Sequence, residues 1–166
     1  TIFCGTSTFL RLFNKNRRIH PLMLDSLRIV VAGAERLNPE IRDSFSLKFG
    51  KPIYEGYGTT ETTPVATVNI PDRMAADWRI QTGDKKGTVG LPLPGSSVRI
   101  VDPANMASLA PQQDGLILIG GTQVMQGYLN DADKTEDVIV ELDGQRWYKT
   151  GDKGHIDKDG FLVIVD

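Results

Sequence analysis

The chain has 166 residues, of which 40% are hydrophobic and 24% are charged, so it can bury a core and reads as globular. Its formal net charge is −2 and no cluster of lysine and arginine is present, which argues against a nucleic-acid partner. The single cysteine, Cys4, excludes an internal disulfide and fits a reducing, cytoplasmic compartment. No apolar run is long enough to span a bilayer.

The first part of the chain alternates between strand and helix signals. Leu27–Ala32 is a nearly continuous β-branched run, which predicts a buried parallel strand. Asn38 followed by Pro39 predicts the start of a helix, and Gly50 predicts its end. A second strand begins at Ile53. A strand, a helix and a strand joined by short links predict a βαβ unit in a mostly parallel sheet.

The second part of the chain carries mostly β signals. Asp72–Lys86 is polar and predicts an exposed loop, and only Asp131–Val138 reads as a helix. These features predict an antiparallel sheet or a partly open barrel. The predicted strands, separated by Pro, Gly, Asn and Asp, are Ser97–Val101, Leu116–Ile119, Arg146–Tyr148 and Phe161–Val165.

The segment after the second strand concentrates groups that suit a nucleotide. Tyr57 offers a flat aromatic face, and Gly58 suits a sharp turn or a close approach of the backbone to a ligand. Thr59 and Thr60 offer hydroxyl donors for a phosphate, and Glu61 offers oxygen to Mg2+. Ligands of α/β sheets bind where a strand ends and its loop begins. On this chemistry alone, a polar turn without a ligand is an equal alternative.

Five motifs in order decide between these alternatives. They are Gly33–Glu35, Tyr57–Glu61, Gly87–Gly95, Gly120–Tyr128 and Trp147–Asp152. Together they resemble the AMP-forming adenylating superfamily of acyl-CoA synthetases, peptide-synthetase adenylation domains and luciferases. The resemblance covers essentially the whole chain.

The resemblance implies an α/β fragment of that family's large N-terminal adenylation domain. Residues 1–72 would be the C-terminal part of its mostly parallel sheet subdomain. Residues 73–166 would be the small β-rich subdomain, a distorted barrel that ends at the hinge to an absent C-terminal domain. The family's Gly- and Ser/Thr-rich phosphate loop and its lysine-bearing C-terminal domain are not in this sequence. We therefore expect a piece of a longer enzyme, inactive on its own.

The resemblance also implies roles for individual residues. Tyr57 would stack on adenine, Thr60 would bind the α-phosphate, Glu61 would hold Mg2+, and Asp152 would bind the ribose hydroxyls. Thr60 and Glu61 would be the catalytic pair. The full set implied to bind the nucleotide is Gly33, Ala34, Glu35, Tyr57, Gly58, Thr59, Thr60 and Asp152, with Gly33–Glu35 forming a backbone shelf beside adenine.

Structural alternatives accompany these roles. Glu61 could be an exposed carboxylate at a helix start, where the helix dipole favours negative charge. Asp152 could be a turn residue, since Thr-Gly-Asp is typical turn chemistry. Met125 and Tyr128 are predicted to pack the sheet. Leu116 stands where the family commonly has Glu, and the sequence does not reveal what this changes.

Within the superfamily, Gly5–Arg11, Val31–Glu35 and Glu55–Gly58 look most like the acyl-carrier-protein synthetase module of bacterial 2-acylglycerophosphoethanolamine acyltransferases. That likeness implies ATP and Mg2+ as cofactors, a fatty acid as substrate and acyl-carrier protein as acceptor. It also implies lysophospholipid reacylation at the cytoplasmic face of the membrane. A long-chain acyl-CoA synthetase, with coenzyme A as acceptor, and a non-catalytic nucleotide-binding module of the same fold are the alternatives.

Overall fold

Two units of structure make up the chain, and the computed structural model describes all of residues 1–166. The first unit is Thr1–Gly56 and the second is Tyr57–Asp166. The subdomain boundary expected between residues 72 and 73 stays a prediction. No helix of the chain is both long and apolar enough to cross a membrane.

The first unit contains a parallel sheet with helices between its strands. Its strands β1, β2 and β3 pair in that order, and β2 is parallel to both neighbours. The predicted βαβ unit is confirmed, since α2 links β2 to β3. The elements are β1 (Ile2–Gly5), α1 (Ser7–Lys15), a short 3-10 helix (Pro21–Leu24), β2 (Ile29–Ala32), α2 (Pro39–Phe49) and β3 (Ile53–Tyr57).

Helix α2 begins and ends where its sequence predicts. The side chain of Asn38 accepts a hydrogen bond from the Glu40 amide at 2.8 Å, and Pro39 occupies the first turn. Gly50 ends the helix with a φ of 64°, in the left-handed region that glycine adopts without strain. The helix buries Phe45 and Phe49 in the core of the first unit.

The second unit is built on an antiparallel sheet. In spatial order, its strands are β10 (Ile139–Leu142), β11 (Gln145–Ile156), β9 (Gly115–Gly121) and β8 (Ser96–Val101). Strand β12 (Leu162–Ile164) pairs with the C-terminal end of β11, at Gly154–Ile156. The sheet is open and does not close into a barrel. Helix α3 (Ala132–Val138) confirms the helix predicted there.

The sheet of the second unit buries both of its faces. Side chains alternate between faces along a strand, and β9 shows this directly. Ile117 and Ile119 pack with Leu162 in one cluster, while Leu118 packs with Trp147 in another. All of these side chains are buried, so β9 is the central strand of the unit.

Four short strands complete the second unit. Strands β4 (Thr67–Val68) and β7 (Leu91–Pro92) pair antiparallel. Strands β5 (Arg73–Met74) and β6 (Ile80–Gln81) also pair antiparallel, so the segment predicted as a plain loop contains a small hairpin. The prediction of exposure was right, because both strands of that hairpin are exposed.

Candidate functional site

The loop that follows β3 turns back tightly on itself. A side-chain carbon at Gly58 would lie 2.1 Å from the carbonyl oxygen of Pro64, so only glycine fits there. The amide of Ala66 donates to the carbonyl of Tyr57 at 2.8 Å and closes the turn. Glycine is therefore required at position 58 because the loop packs against itself there.

The loop contains one turn of 3-10 helix, Thr60–Thr62, stabilised by its threonines. The amide of Thr59 donates to the Thr62 hydroxyl at 2.9 Å, and that hydroxyl donates to the Thr59 carbonyl at 3.1 Å. Thr62 is fully buried, which explains why a hydroxyl must satisfy these groups. Thr60, in contrast, is exposed.

Tyr57 and Asp152 are brought together from distant parts of the second unit. The Tyr57 hydroxyl donates a hydrogen bond to Oδ2 of Asp152, 95 residues further along the chain. Burial and then the bond to this carboxylate raise the pKa of the Tyr57 phenol, so it stays a neutral donor. The bond fixes the position of the phenol oxygen, at the far end of the ring.

Asp152 lies in a bulge of β11 rather than in a turn between elements. Lys149 lies opposite Leu118 and Lys153 lies opposite Leu116, so β11 advances four positions while β9 advances two. Gly151 has a φ of 84°, which permits the bulge. The turn interpretation of Thr-Gly-Asp is therefore replaced by a strand bulge, a device that redirects a side chain.

The hydroxyl of Thr150 compensates for the interrupted strand pairing at this bulge. It donates to the carbonyl of Ile117 at 2.9 Å and accepts from the amide of Asp152 at 3.1 Å. The backbone on both sides of the bulge is thus satisfied by one side chain, which orders Asp152.

Glu61 is hydrogen-bonded by one tyrosine and interacts electrostatically with a second. The Tyr128 hydroxyl donates to Oε1 of Glu61 at 2.7 Å, and this bond is the main cause that lowers the pKa of the carboxyl. The same contact raises the pKa of Tyr128 to about 12. Tyr148 is the second neighbour: burial and the charge of Glu61 raise its pKa. Tyr148 also contributes to the raised pKa of Tyr57, so these groups share one neighbourhood.

The carboxylates of Glu61 and Asp152 suit a nucleotide that carries Mg2+ better than they suit a metal ion bound by the protein alone. The chain has no group of three His, Cys, Asp or Glu side chains placed to hold a metal. Mg2+ is commonly bound by one or two carboxylates together with substrate phosphates and water. A single ordered carboxylate at Glu61 fits that pattern, and a hydroxyl-binding carboxylate at Asp152 beside an aromatic face fits a nucleoside.

Gly33, Ala34 and Glu35 lie in the first unit, directly after β2. Ala34 has a φ of 67°, a left-handed conformation that is unusual for a residue with a side chain. Glu35 accepts from the Thr8 amide at 2.6 Å in the first turn of α1, and this bond is the main cause that lowers its pKa. Glu35 therefore caps a helix. The predicted adenine shelf of this segment stays a prediction.

Three residues of the site escaped the sequence analysis. Tyr128 was expected to pack the sheet, but its hydroxyl bonds Glu61 instead, 67 residues away in sequence. Tyr148 and Thr150 lie inside a motif already recognised, but their partners come from other strands. The only available signal was that each is a hydroxyl-bearing residue within a motif.

Comparison with known proteins gives one family. The sequence profile described as AMP-binding enzyme matches residues 1–129. The chain is 38% identical over 154 residues to 4-coumarate--CoA ligase 1 of Glycine max, a match covering 92% of this chain and 50% of that relative. The chain is also 39% identical over 144 residues to 4-coumarate--CoA ligase 1 of Petroselinum crispum, a match covering 86% of this chain and 25% of that relative. The chain thus spans half the length of the first relative and a quarter of the second.

A solved structure shares the arrangement of these elements. The crystal structure of apo MatB from Rhodopseudomonas palustris superposes with a TM-score of 0.80 at 30% identity, covering 99% of this chain and 30% of that one. The mixed α/β fold is therefore that of the large N-terminal domain of such enzymes, seen here in part.

Proposed function

Because the chain belongs to the AMP-binding enzyme family, we propose that the full-length protein activates a carboxylic acid with ATP and transfers the acyl group to a thiol. The observation that carries the proposal is the meeting of Tyr57 with Asp152, and of Glu61 with Tyr128 and Tyr148, in one unit. An aromatic face, a carboxylate for hydroxyls and a carboxylate for a cation are the groups that a magnesium nucleotide needs.

In the proposed reaction, the substrate carboxylate is already ionised, because carboxyl pKa values lie near about 4. Its oxygen bonds to the α-phosphorus of ATP, the bond to the bridging oxygen breaks, and pyrophosphate leaves. The thiol sulfur then bonds to the acyl carbon, AMP leaves with the anhydride oxygen, and the thiol proton passes to solvent. Positioning and charge neutralisation therefore carry the catalysis, since two anions must meet.

The chain's own residues have separate tasks in this scheme. Tyr57 would present its ring to adenine, with its hydroxyl held by Asp152, whose remaining acceptor capacity would bind ribose hydroxyls. Thr60, which is exposed, would offer its hydroxyl to the α-phosphate. Glu61 would hold Mg2+, which supplies positive charge against the repulsion of the two substrates when bound. Gly33–Glu35 would border adenine, and Gly58 and Thr59 would shape the loop.

The acid and the acceptor are the finer part of the proposal. The sequence likeness to acyl-carrier-protein synthetase modules supports a fatty acid, acyl-carrier protein as acceptor and reacylation of a lysophospholipid at the membrane. The curated relatives are named as CoA ligases, and this supports coenzyme A as the first thiol acceptor to test. Both of those names also carry 4-coumarate, so an aromatic acid belongs in the same trial.

The test is ATP–pyrophosphate exchange by the full-length protein with Mg2+ and a panel of fatty and aromatic acids. We expect acid-dependent exchange, followed by thioester formation when coenzyme A or acyl-carrier protein is added. Nucleotide binding without exchange for any acid would contradict the enzyme and favour the non-catalytic module. Exchange without transfer to either thiol would contradict the second step alone.

A further inference from the structure

The carboxylate of Glu61 is held in place by a segment that lies 62 to 67 residues further along the chain, Gln123–Tyr128, which we name the tyrosine clamp. Three hydrogen bonds join it to the 61–63 loop. The amide of Met125 donates to the Glu61 carbonyl at 2.8 Å. The Thr63 hydroxyl donates to the Gln123 carbonyl at 2.8 Å, and the Tyr128 hydroxyl donates to Glu61 Oε1 at 2.7 Å. The clamp thus holds both the backbone and the side chain of Glu61, together with the side chain of Thr63.

The tyrosine clamp is itself anchored at both ends. At its start, the Gln123 side chain donates to the Ser96 hydroxyl on β8 at 2.6 Å. At its end, the Tyr128 amide donates to the Thr135 hydroxyl at 2.9 Å, and that hydroxyl donates to the Asp131 carbonyl at 2.8 Å. The clamp therefore transmits the rigidity of the sheet and of α3 to the loop.

The ring of Tyr128 is fixed as well as its backbone. The Lys134 ammonium lies 4.4 Å from the centre of the Tyr128 ring, within cation–π distance. A methyl-sized group at Gly127 would lie 2.8 Å from the Thr135 side chain, so α3 packs closely against this part of the clamp. These contacts position the Tyr128 oxygen beside Oε1 of Glu61, the acceptor of its O–H.

We propose that Tyr128 is a positioning residue for magnesium nucleotide: by binding one oxygen of Glu61, it turns the carboxylate so that its remaining acceptor sites face the cation. The inference rests on the proposed function, because it needs Glu61 to bind the metal. Partners that orient a ligating carboxylate typically change metal affinity by about 10- to 100-fold when they are removed. Nothing in this role requires Tyr128 to contact substrate.

Binding of Mn2+ tests the proposal without turnover. The full-length protein, saturated with a non-hydrolysable ATP analogue, is titrated with Mn2+, and free Mn2+ is followed by electron paramagnetic resonance. We expect Tyr128→Phe to raise the Mn2+ dissociation constant by about 10-fold or more. The affinity for the analogue without metal and the melting temperature should stay near wild type.

Two further variants separate the possible failures. Glu61→Gln should weaken Mn2+ binding, and adding Tyr128→Phe to it should cause no further loss, because the two residues act as one unit. Thr135→Val removes the acceptor of the Tyr128 amide but leaves the Tyr128 hydroxyl intact. It should weaken Mn2+ binding too, by less than Tyr128→Phe does. If Glu61→Gln leaves Mn2+ binding unchanged, the proposed metal role of Glu61 fails. If it weakens binding while Tyr128→Phe and Thr135→Val do not, the positioning role alone is overturned.

Discussion

The Tyr57 hydroxyl and the Asp152 carboxylate share a hydrogen bond that joins the last residue of β3 to the bulge of β11, across 95 residues of sequence. Each group therefore has a partner before any ligand binds. The bond fixes the position of the Tyr57 oxygen and the orientation of the Asp152 carboxylate. In the proposed site, this one bond positions both the group that would face adenine and the group that would bind ribose. Fewer side chains then need to become ordered when the nucleotide binds.

We expect Tyr57→Phe and Tyr57→Ala to differ in their effect on ATP affinity. The phenylalanine keeps the stacking face and loses only the bond to Asp152, a net contribution of about 1 kcal/mol. The alanine also loses stacking, worth about 1–3 kcal/mol per base in nucleic-acid sites. Calorimetric titration of the full-length protein with a non-hydrolysable ATP analogue measures both. Equal losses for the two variants would remove adenine stacking from the role of Tyr57.

Glu61→Gln should lower the rate of adenylate formation by about 10²-fold or more, the scale found for single groups that stabilise charge in a transition state. The substitution keeps the shape and an acceptor for Tyr128 while removing the charge that would hold Mg2+. The readout is pyrophosphate exchange in the full-length protein. Glu141→Gln, an exposed glutamate on β10, is the matched control. A near-normal rate for Glu61→Gln at ordinary Mg2+ would restore the interpretation of a surface carboxylate.

Asp152 allows ligand binding and stability to be separated by two variants. Asp152→Ala removes the carboxylate proposed to bind ribose and leaves the half-buried Tyr57 hydroxyl without its acceptor, so ATP affinity should fall by about 1–3 kcal/mol. Asp152→Asn keeps an acceptor for Tyr57, so its melting temperature should stay near that of wild type while affinity still falls. The measurements are thermal unfolding and nucleotide titration on the same samples. Unchanged affinity with a collapsed melting temperature for Asp152→Ala would make the residue structural only.

The helix cap at Glu35 predicts a pH-dependent contribution to stability. The pKa of this carboxyl is lowered from its ordinary value of 4.5, chiefly by the Thr8 amide. The folded state therefore favours the charged form, so the contribution is present above the ordinary pKa and is lost as pH falls through the lowered one. Thermal unfolding of wild type and Glu35→Gln should differ at about pH 7 and converge at about pH 3. A difference that is the same at both pH values would contradict a charge-dependent cap.

Local signals in the sequence predicted α2, α3 and the strands β2, β3, β8, β9 and β12, but not β10 or the short strands β4–β7. Asn38, Pro39 and Gly50 each act within one helical turn, so the bounds of α2 could be read from neighbours alone. The strands around Leu118 were predicted from their apolar runs, but β11 was predicted only as Arg146–Tyr148. Its continuation through Gly151 and Asp152 carries turn residues and depends on pairing with β9, which no local pattern reveals.

The candidate site was predictable by residue type and not by contact. Tyr57, Glu61 and Asp152 were singled out because their chemistry suits a nucleotide. Their partners were not, since Tyr128 looks like any half-buried aromatic until the fold carries its hydroxyl to Glu61. Ala34 shows the same limit for the backbone, because nothing in an alanine predicts a φ of 67°. Long-range hydrogen bonds and tertiary strain are set by the whole fold.

The bulge in β11 adds an even number of residues, and this affects which deletions the sheet can survive. Because side chains alternate between faces, loss of Gly151 and Asp152 together would leave Trp147 and Ile156 on their present sides. Loss of either residue alone would turn one half of the strand inside out. If the proposed function holds, a lineage relieved of selection for nucleotide binding could therefore discard Asp152 by a six-base deletion in its gene, in frame, and keep a regular and well-packed sheet. A folded descendant without the bulge would then have lost the proposed site without misfolding.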